Sequence, residues 1–197
     1  VDCPVEIGNH EEFEFMAAGA LHKVAMYGAG KYDEKQLKKD YTKIIETSVA
    51  VFGELPLKEY LFIVHHTMLG GGGLEHASST TLQTRPSVYE SESSYKGFLG
   101  LVAHEYFHLW NVKRLRPVAL GPFDYSKENY THNLWFSEGF TSYYDNLLNR
   151  RAGLALAVGE IKKREGSVVF RPEREAQVID GLKAGNPGPL QSASIAP

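Results

Sequence analysis

The segment from 104 to 108 reads HEYFH and holds the residue types best suited to chemistry in this chain of 197 residues. Residues four apart lie on one face of an α-helix, so His104 and His108 can both offer a ring nitrogen to one metal ion. Glu105 lies beside the pair, near enough to take a proton from an attacking water molecule without binding the ion itself. The alternative is that both histidines are ordinary core or surface residues of an amphipathic helix.

A third ligand is needed, because tetrahedral catalytic zinc usually has three protein ligands and one open position. Glu138, in the segment LWFSEGF, is the candidate. Its neighbours are aromatic, and carboxylates are rarely buried among aromatics unless they are paired or bound to a cation. An ordinary acid in the first turn of a helix is the alternative. Cys3 is the single cysteine, which excludes a cysteine-based site. We therefore predict one Zn²⁺ per chain, bound by His104, His108 and Glu138.

The elements that must position these residues follow from periodicity and from helix and strand breakers. A strand is predicted around 21–26, and a helix over about 34–52 with Asp33 as its N-cap. Residues 59–66 read as a buried strand and 69–73 as a flexible glycine turn. The Ser and Thr content of 74–84 predicts one further strand at the edge of the sheet.

Two further helices are predicted to carry the metal ligands. The first spans 94–112, is apolar on most sides, and contains HEYFH; the second begins near Leu134 and contains Glu138. A loop with Pro, Gly and aromatic residues, 116–133, joins them. We expect one catalytic domain over 1–180 and a Gly/Pro/Ser-rich flexible tail or linker over 181–197.

Bulk composition excludes several classes of function. The chain is 43% hydrophobic and 23% charged, which is ordinary for a soluble globular protein. A net charge of −3 gives no reason to expect nucleic acid or an anionic membrane as a partner. No apolar run is long enough to span a membrane, and no signal-peptide pattern opens the chain. The first residue is Val1 rather than Met, so the compartment stays open between cytoplasm, periplasm and secretion. The composition does not predict an oligomeric state.

Taken together, the motifs resemble a known group of enzymes. HEYFH followed by W-x-x-E-G-F at 135–140 resembles the gluzincin metallopeptidases, whose third zinc ligand is a glutamate on the following helix. The interval from 109 to 137 is longer than in their common aminopeptidase branch and resembles that of the glycyl-aminopeptidase family, metallopeptidase family sixty-one. The resemblance covers about residues 60–150. It implies an α+β, thermolysin-like catalytic domain, with a small mixed sheet whose edge strand lies beside the two zinc-ligand helices.

The resemblance also gives the segment GGLEH, 72–76, a role in substrate binding. It matches the family's exopeptidase motif, in which the glutamate, here Glu75, faces the free α-ammonium group of the substrate. A fixed carboxylate there favours a cationic N-terminus and positions the first peptide bond at the metal. Gly72 and Gly73 carry no side chain, so a peptide can pair with this strand. By itself, the segment is more typical of a flexible hairpin with an exposed acid.

Other residues are predicted to support the site. Asn111 and Asp145 are candidate acceptors that fix the tautomer of a zinc-bound histidine, although purely structural roles are possible for both. The resemblance further implies a tyrosine well downstream of Glu138 that stabilises the oxyanion. Tyr143 and Tyr144 are too close to Glu138 to match it, and no tyrosine follows them.

Three functions are compatible with these observations. The first is a zinc aminopeptidase that hydrolyses the N-terminal peptide bond of peptides with a free N-terminus and favours Gly or Ala. The second is a zinc endopeptidase with the same core, against which Glu75 argues. The third is a non-catalytic, zinc-stabilised peptide-binding domain, which the missing tyrosine favours.

Overall fold

A computed structural model describes residues 3–154, which form a five-stranded sheet and three α-helices. The α+β class predicted from the sequence is confirmed. The elements in chain order are β1 (Glu11–Ala17), β2 (Ala20–Tyr27), α1 (Glu34–Phe52), β3 (Glu59–His66), β4 (Gly72–Glu75), β5 (Ser79–Thr84), α2 (Glu92–Phe107) and α3 (Leu134–Arg151).

The sheet is mixed, with strand order β1-β2-β3-β5-β4. The pairs β1–β2 and β4–β5 are antiparallel hairpins, whereas β2–β3 and β3–β5 are parallel. Helix α1 provides the connection between the parallel strands β2 and β3, as such a connection requires. The short strand β4 is therefore at the edge of the sheet, where its outer backbone groups are available to another strand.

The core lies between one face of the sheet and the helices α1 and α2. Alternate residues of β3, including Phe62, point to this face because successive side chains of a strand point to opposite sides. The ring of Phe62 lies 5.0 Å from that of Tyr41 in α1 and 5.8 Å from that of Tyr106 in α2. Tyr106 belongs to the HEYFH segment, so the helix that carries the predicted ligands is fixed by the centre of the core.

Helix α1 begins and ends as its sequence predicts. The Asp33 side chain accepts hydrogen bonds from the backbone amides of Lys35 and Gln36, at 2.9 and 3.1 Å. This N-cap satisfies donors that have no partner within the helix. Gly53 ends the helix with a φ of 86°, a left-handed conformation that favours glycine.

Several elements and boundaries differ from the sequence prediction. Strand β1 was not predicted. It pairs with β2 through a tight turn formed by Ala18 and Gly19, which both have a positive φ. Residues 74–84, predicted as one strand, are divided between β4 and β5 by a turn at 76–78. Strand β4 also begins at Gly72, so the last two residues of the predicted glycine turn 69–73 belong to a strand and pair with β5. Helix α2 ends at Phe107 instead of continuing to 112, because the regular hydrogen-bond spacing of four is lost there: the amides of Leu109 and Trp110 donate to carbonyls three residues back, and that of Lys113 to the carbonyl of His108, five residues back.

Two further predictions concern the extent of the chain. The expected domain boundary at 180 and the tail over 181–197 lie outside the described residues. Within residues 3–154, none of the helices is long and apolar enough to cross a lipid bilayer.

Candidate functional site

Helix α2 brings the HEYFH residues to its C-terminal end. It begins at the N-cap Ser91, whose hydroxyl accepts a hydrogen bond from the amide of Ser94 at 3.1 Å. His104 and Glu105 occupy its last turn, and His108 is the residue that ends the helix. His104 and His108 therefore lie on the same face, as their spacing of four predicts, although His108 is at the end of the helix.

Helix α3 packs against α2 through contacts that fix its position. The rings of Phe107 and Tyr144 stack with centroids 4.7 Å apart and planes 12° from parallel. Asn149 donates to the carbonyl of Leu99 at 3.2 Å, which joins α3 to the middle of α2. With these contacts in place, the second turn of α3 carries Glu138 to the two histidines.

The three predicted ligands converge on one point. The Nε2 atoms of His104 and His108 lie 3.2 and 3.6 Å from the same oxygen, Oε2 of Glu138. The two imidazole rings are nearly perpendicular, with centroids 4.8 Å apart. One ligand atom from each of the three residues falls within 4.8 Å of the others. Two imidazoles and a carboxylate form the ligand set of many catalytic zinc sites.

The opposite ring nitrogens are both occupied by acceptors. Nδ1 of His104 donates to Oδ2 of Asp145 at 3.0 Å, and Nδ1 of His108 donates to the backbone carbonyl of Asn111 at 2.7 Å. Since neither acceptor can donate, each Nδ1 carries a hydrogen, which leaves Nε2 as the nitrogen that can bind a metal. Asp145 thus has the contact predicted for it, whereas Asn111 uses its backbone oxygen.

The side chain of Asn111 has a different role, which the sequence did not indicate. It is buried, and its Nδ2 donates to the carbonyl of Ser137 and to Oγ1 of Thr141, each at 3.1 Å. Thr141 in turn donates to Ser137 at 2.6 Å. This network joins the segment after His108 to the turn of α3 that contains Glu138. No local pattern in the sequence links these three residues, because their contacts arise from the packing of α3 against the segment after His108.

The charges of the ligand residues are strongly coupled. Burial would lower the pKa of His104, but hydrogen bonds to Asp145 and Glu138 outweigh it and raise the pKa to about 10. Hydrogen bonds from His104 and His108 hold the pKa of Glu138 well below its usual range. In the metal-free protein a cationic His104 therefore faces an ionised Glu138, and a bound cation can replace that proton.

Glu105 lies against the edge strand and is almost completely buried, with 4% of its surface exposed. Its Oε2 has no hydrogen-bond partner among residues 3–154. Burial raises the pKa of Glu105 to about 7, with a further increase from Glu75 and Glu138 that the two histidines oppose. A carboxyl group with this pKa can both accept and release a proton near neutral pH.

Gly73 in β4 makes room for this carboxylate. A Cβ atom added to Gly73 would lie 2.5 Å from Cδ and 2.6 Å from Oε1 of Glu105. Any larger residue therefore displaces Glu105 or the strand. Gly72 has a φ of 103° and open space around it. At this position glycine is favoured by the backbone conformation and not by a lack of room for a side chain.

Glu75 ends β4 on the side of the HEYFH helix. One carboxylate oxygen of Glu75, one of Glu105 and a ring nitrogen of His108 lie within 4.8 Å of one another. Lys113 Nζ lies 3.9 Å from Oε1 of Glu75, and both side chains are mostly buried. The structure thus brings the predicted substrate-binding glutamate to within a few ångströms of the predicted base, and Lys113 beside it was not predicted as a contact.

The expected surroundings of Glu138 were wrong, and two buried histidines lie apart from the ligand cluster. Glu138 is not buried among aromatics: half of its side chain is exposed, and Trp135 beside it is also exposed. His22 is buried in the core against Tyr106, and His66 bonds to Tyr89, so neither joins the ligand cluster. Tyr144 is buried, and its ring stacks on that of Phe107.

A cavity of about 260 Å³ lies along the glycine segment that precedes and forms β4. It contains none of the three convergent ligands, nor Glu105. Its position nevertheless leaves open space beside the edge strand, which is the surface that a bound peptide would need. The residues around it are His65, Gly71, Gly72, Gly73, Leu74, Thr81, Leu82 and Gln83.

Comparisons with sequence families connect this site to peptidases. The family description "M61 glycyl aminopeptidase" matches residues 97–169, an interval that contains His104, Glu105, His108 and Glu138. The description "chorismate mutase type II" matches residues 146–197, which begin after the last of these residues and lie mostly outside the described part of the chain. No curated protein matches.

Among solved structures, the fold is similar to a crystal structure of an aminopeptidase N family protein from Idiomarina loihiensis. The TM-score is 0.71 and the sequence identity is 38% over 75% of this chain. The match covers 26% of the other chain, so this chain spans about a quarter of the length of that protein.

Proposed function

Because this chain carries an M61 glycyl aminopeptidase-like domain, we propose that it acts in a zinc-dependent aminopeptidase. The reaction is hydrolysis of the N-terminal peptide bond of peptides with a free N-terminus, with a preference for small residues such as Gly and Ala. One observation carries the proposal: the three convergent ligands, the buried Glu105 and the edge-strand Glu75 all meet at the junction of α2, α3 and β4.

The residues present fit a zinc ion. The Nε2 atoms of His104 and His108 and the carboxylate of Glu138 already surround one point, and the opposite ring nitrogens are held by acceptors. These three residues would hold the ion. When bound, zinc supplies Lewis acidity, which polarises a carbonyl group and makes a water molecule acidic enough to lose a proton near neutral pH.

Glu105 is proposed as the general base and acid. Its carboxylate accepts a proton from the attacking water and later donates that proton to the nitrogen of the leaving amine. Burial suits this exchange, because a buried carboxylate with a pKa of about 7 is as stable protonated as ionised at neutral pH. Gly73 keeps the carboxylate in place by allowing the strand to pass it closely.

Glu75 and β4 are proposed to select and align the substrate. A peptide that pairs with the outer edge of β4 runs beside Gly72 and Gly73, where no side chain obstructs it. Its α-ammonium group then reaches the carboxylate of Glu75, which lies close to Glu105. A charge requirement at this end favours an aminopeptidase over an endopeptidase, since an internal peptide segment has no ammonium group to offer.

The same arrangement supports a thermolysin-like catalytic fold as a proposal about architecture. The edge strand β4 lies beside two packed helices, and these helices supply two histidines and one glutamate, as expected for a thermolysin-like fold. The proposed domain extends over residues 1–180, of which 1–2 and 155–180 lie outside the described residues.

A second candidate is a zinc-stabilised peptide-binding domain without catalytic activity. It is favoured by the position of Tyr144, which is buried and stacks on Phe107 in the interface between α2 and α3. An oxyanion donor in addition to the metal contributes a large share of catalysis in acyl transfer. This candidate predicts one zinc per chain, binding of free-amine peptides and no turnover.

The test compares hydrolysis of Gly- and Ala-anilides with that of their N-acetylated forms, using the zinc-loaded full chain. We expect cleavage of the free amines only, and a loss of at least about 100-fold in kcat/KM for Glu105→Gln with zinc retained. Glu92→Gln removes an exposed acid at the other end of α2 and is the matched control. Equal cleavage of acetylated substrates would exclude the aminopeptidase, and zinc retention without turnover would favour the second candidate.

A further inference from the structure

Two groups of potential ligands share His108. One is the predicted zinc site, and the other consists of Glu75, Glu105 and His108, whose ligand atoms also lie within 4.8 Å of one another. The first group contains two imidazoles and the second contains two carboxylates. Imidazole suits zinc, whereas carboxylate oxygens suit harder cations such as Mn²⁺, Mg²⁺ and Ca²⁺. The two groups therefore differ in the cation that each would prefer.

Independent evidence for a ligand in the second group comes from Glu105. The residue is 96% buried, and its Oε2 has no hydrogen-bond partner among the residues that the structure describes. An unsatisfied buried carboxylate oxygen is costly, and a cation is the partner that removes most of the cost. The Gly73 backbone packs directly against this side chain, since an added Cβ atom would lie 2.6 Å from Oε1, and Oε2 is the oxygen left for a ligand.

Lys113 places an ammonium group beside the carboxylate of Glu75. Its Nζ lies 3.9 Å from Oε1 of Glu75, and its backbone amide donates to the carbonyl of His108 at 3.0 Å. The ammonium group is thus held beside Glu75 by the same turn that fixes the shared histidine. At 3.9 Å the pair is at the outer limit of an ion pair, and a cation that approaches Glu75 would feel repulsion from it.

We propose that the carboxylates of Glu75 and Glu105 form a second, weaker site for a divalent cation beside the zinc site. Because His108 binds zinc when the first site is filled, the second ion is bound by the two carboxylates and by solvent. Such an ion occupies the place at Glu75 where a substrate ammonium group would bind and also engages Glu105. Under the proposed function, on which this consequence rests, excess divalent cation inhibits the enzyme in competition with free-amine peptides.

The test uses Mn²⁺ as the probe, after the full chain has been loaded with one equivalent of zinc. Mn²⁺ binds nitrogen-rich sites more weakly than zinc, so it leaves the first site filled. Loss of the sharp electron paramagnetic resonance signal of free Mn²⁺ measures binding, and elemental analysis measures the zinc that remains. We expect one additional Mn²⁺ with a Kd of roughly 10⁻⁴–10⁻³ M, as in weak oxygen-ligand sites.

Two variants move this binding in opposite directions. Glu75→Gln is expected to weaken Mn²⁺ binding at least about tenfold while one zinc per chain is retained. Lys113→Met removes the neighbouring ammonium group and is expected to tighten Mn²⁺ binding several-fold. Glu54→Gln, at an exposed glutamate next to the end of α1, is the control and is expected to bind like wild type.

The outcomes separate this proposal from the proposed function. If zinc is retained but wild type binds no additional Mn²⁺, or if Glu75→Gln binds it as tightly as wild type, the second site is wrong and the zinc site stands. If Lys113→Met fails to tighten binding, the assignment to Glu75 is likewise wrong. If wild type retains no zinc, the proposed function is what fails.

Discussion

Nδ1 of His104 lies 3.0 Å from Oδ2 of Asp145, across the interface between α2 and α3. The two residues are 41 positions apart in the sequence, so the contact exists only because the helices pack together. It determines which nitrogen of His104 faces Glu138 and how the ring is turned. The contact therefore belongs to the site as much as the ligands do.

Asp145→Asn is predicted to weaken zinc binding by about 10- to 100-fold, because it removes the charged acceptor that orients His104. Competition with a chromophoric chelator at fixed pH measures the change. Asp124→Asn, in the exposed loop between the helices, is the control and is expected to leave affinity unchanged. Unchanged affinity in Asp145→Asn would show that the contact does not support the site.

Gly73→Ala is predicted to reduce kcat while zinc content stays at one per chain. The new Cβ would lie 2.5 Å from the Glu105 side chain, so the carboxylate must move, and the three atoms nearest to the new Cβ all belong to Glu105. The expected loss in kcat is about 100-fold, typical of a misplaced general base. Gly97→Ala in α2 meets no atom within 4 Å and serves as the control. An unchanged kcat in Gly73→Ala would contradict the role given to Glu105.

Asn111→Ala is predicted to lower the free energy of unfolding by about 1–3 kcal/mol, because buried acceptors on α3 lose their donor. Zinc affinity should fall as well, since the segment after His108 is no longer joined to the turn that carries Glu138. Chemical denaturation of the metal-free chain, followed by chelator competition, measures both. Asn133→Ala, at an exposed residue whose side chain caps no amide, is the control. A variant as stable as wild type would contradict the network.

The buried His22 predicts how stability depends on pH. Burial lowers the pKa of His22 to about 4, from the ordinary value of 6.5, and a hydrogen bond to the Ala20 carbonyl opposes this only partly. The unfolded chain therefore binds this proton first, so the contribution is complete above pH 6.5 and is lost as the pH falls towards 4. The loss amounts to roughly 2–3 kcal/mol.

Denaturant titrations of wild type and His22→Gln between pH 7 and pH 4 measure that contribution. Glutamine does not titrate in this range, so the stability of the variant should decline less over the same window. A parallel decline in the two proteins would show that His22 is not responsible. Because His22 lies in the core against Tyr106 and not in the ligand cluster, this outcome would leave the zinc proposal unaffected.

The sequence predicted those parts of the fold that depend on local pattern. Asp33 and Gly53 mark both ends of α1 because capping is a local interaction. The spacing of His104 and His108 placed both on one helix face for the same reason. The end of α2 at Phe107 was not predicted, because no proline or glycine marks it and it depends on the turn after His108.

Relationships between distant segments were predictable only through the family resemblance. Nothing in the composition around Glu138 indicates that its carboxylate lies near His104, and the aromatic burial used to argue for it was wrong. The close approach of Gly73 to Glu105 and of Lys113 to Glu75 also depends on how β4 is placed beside α2. Such contacts arise from packing between elements, which residue periodicity does not encode.

Zinc content is the measurement that tests the central claim most directly. Wild type, Glu138→Gln and Glu105→Gln are equilibrated with zinc, dialysed against buffer, and analysed for bound metal per chain. We predict one zinc for wild type and for Glu105→Gln. Glu138→Gln should bind zinc at least about 100-fold more weakly. The free energy of zinc binding at a protein site is roughly 10–16 kcal/mol and comes from few ligands, so the loss of one charged ligand removes a large share of it. A wild-type chain without zinc, or a Glu138→Gln variant that retains it as tightly as wild type, would contradict the account.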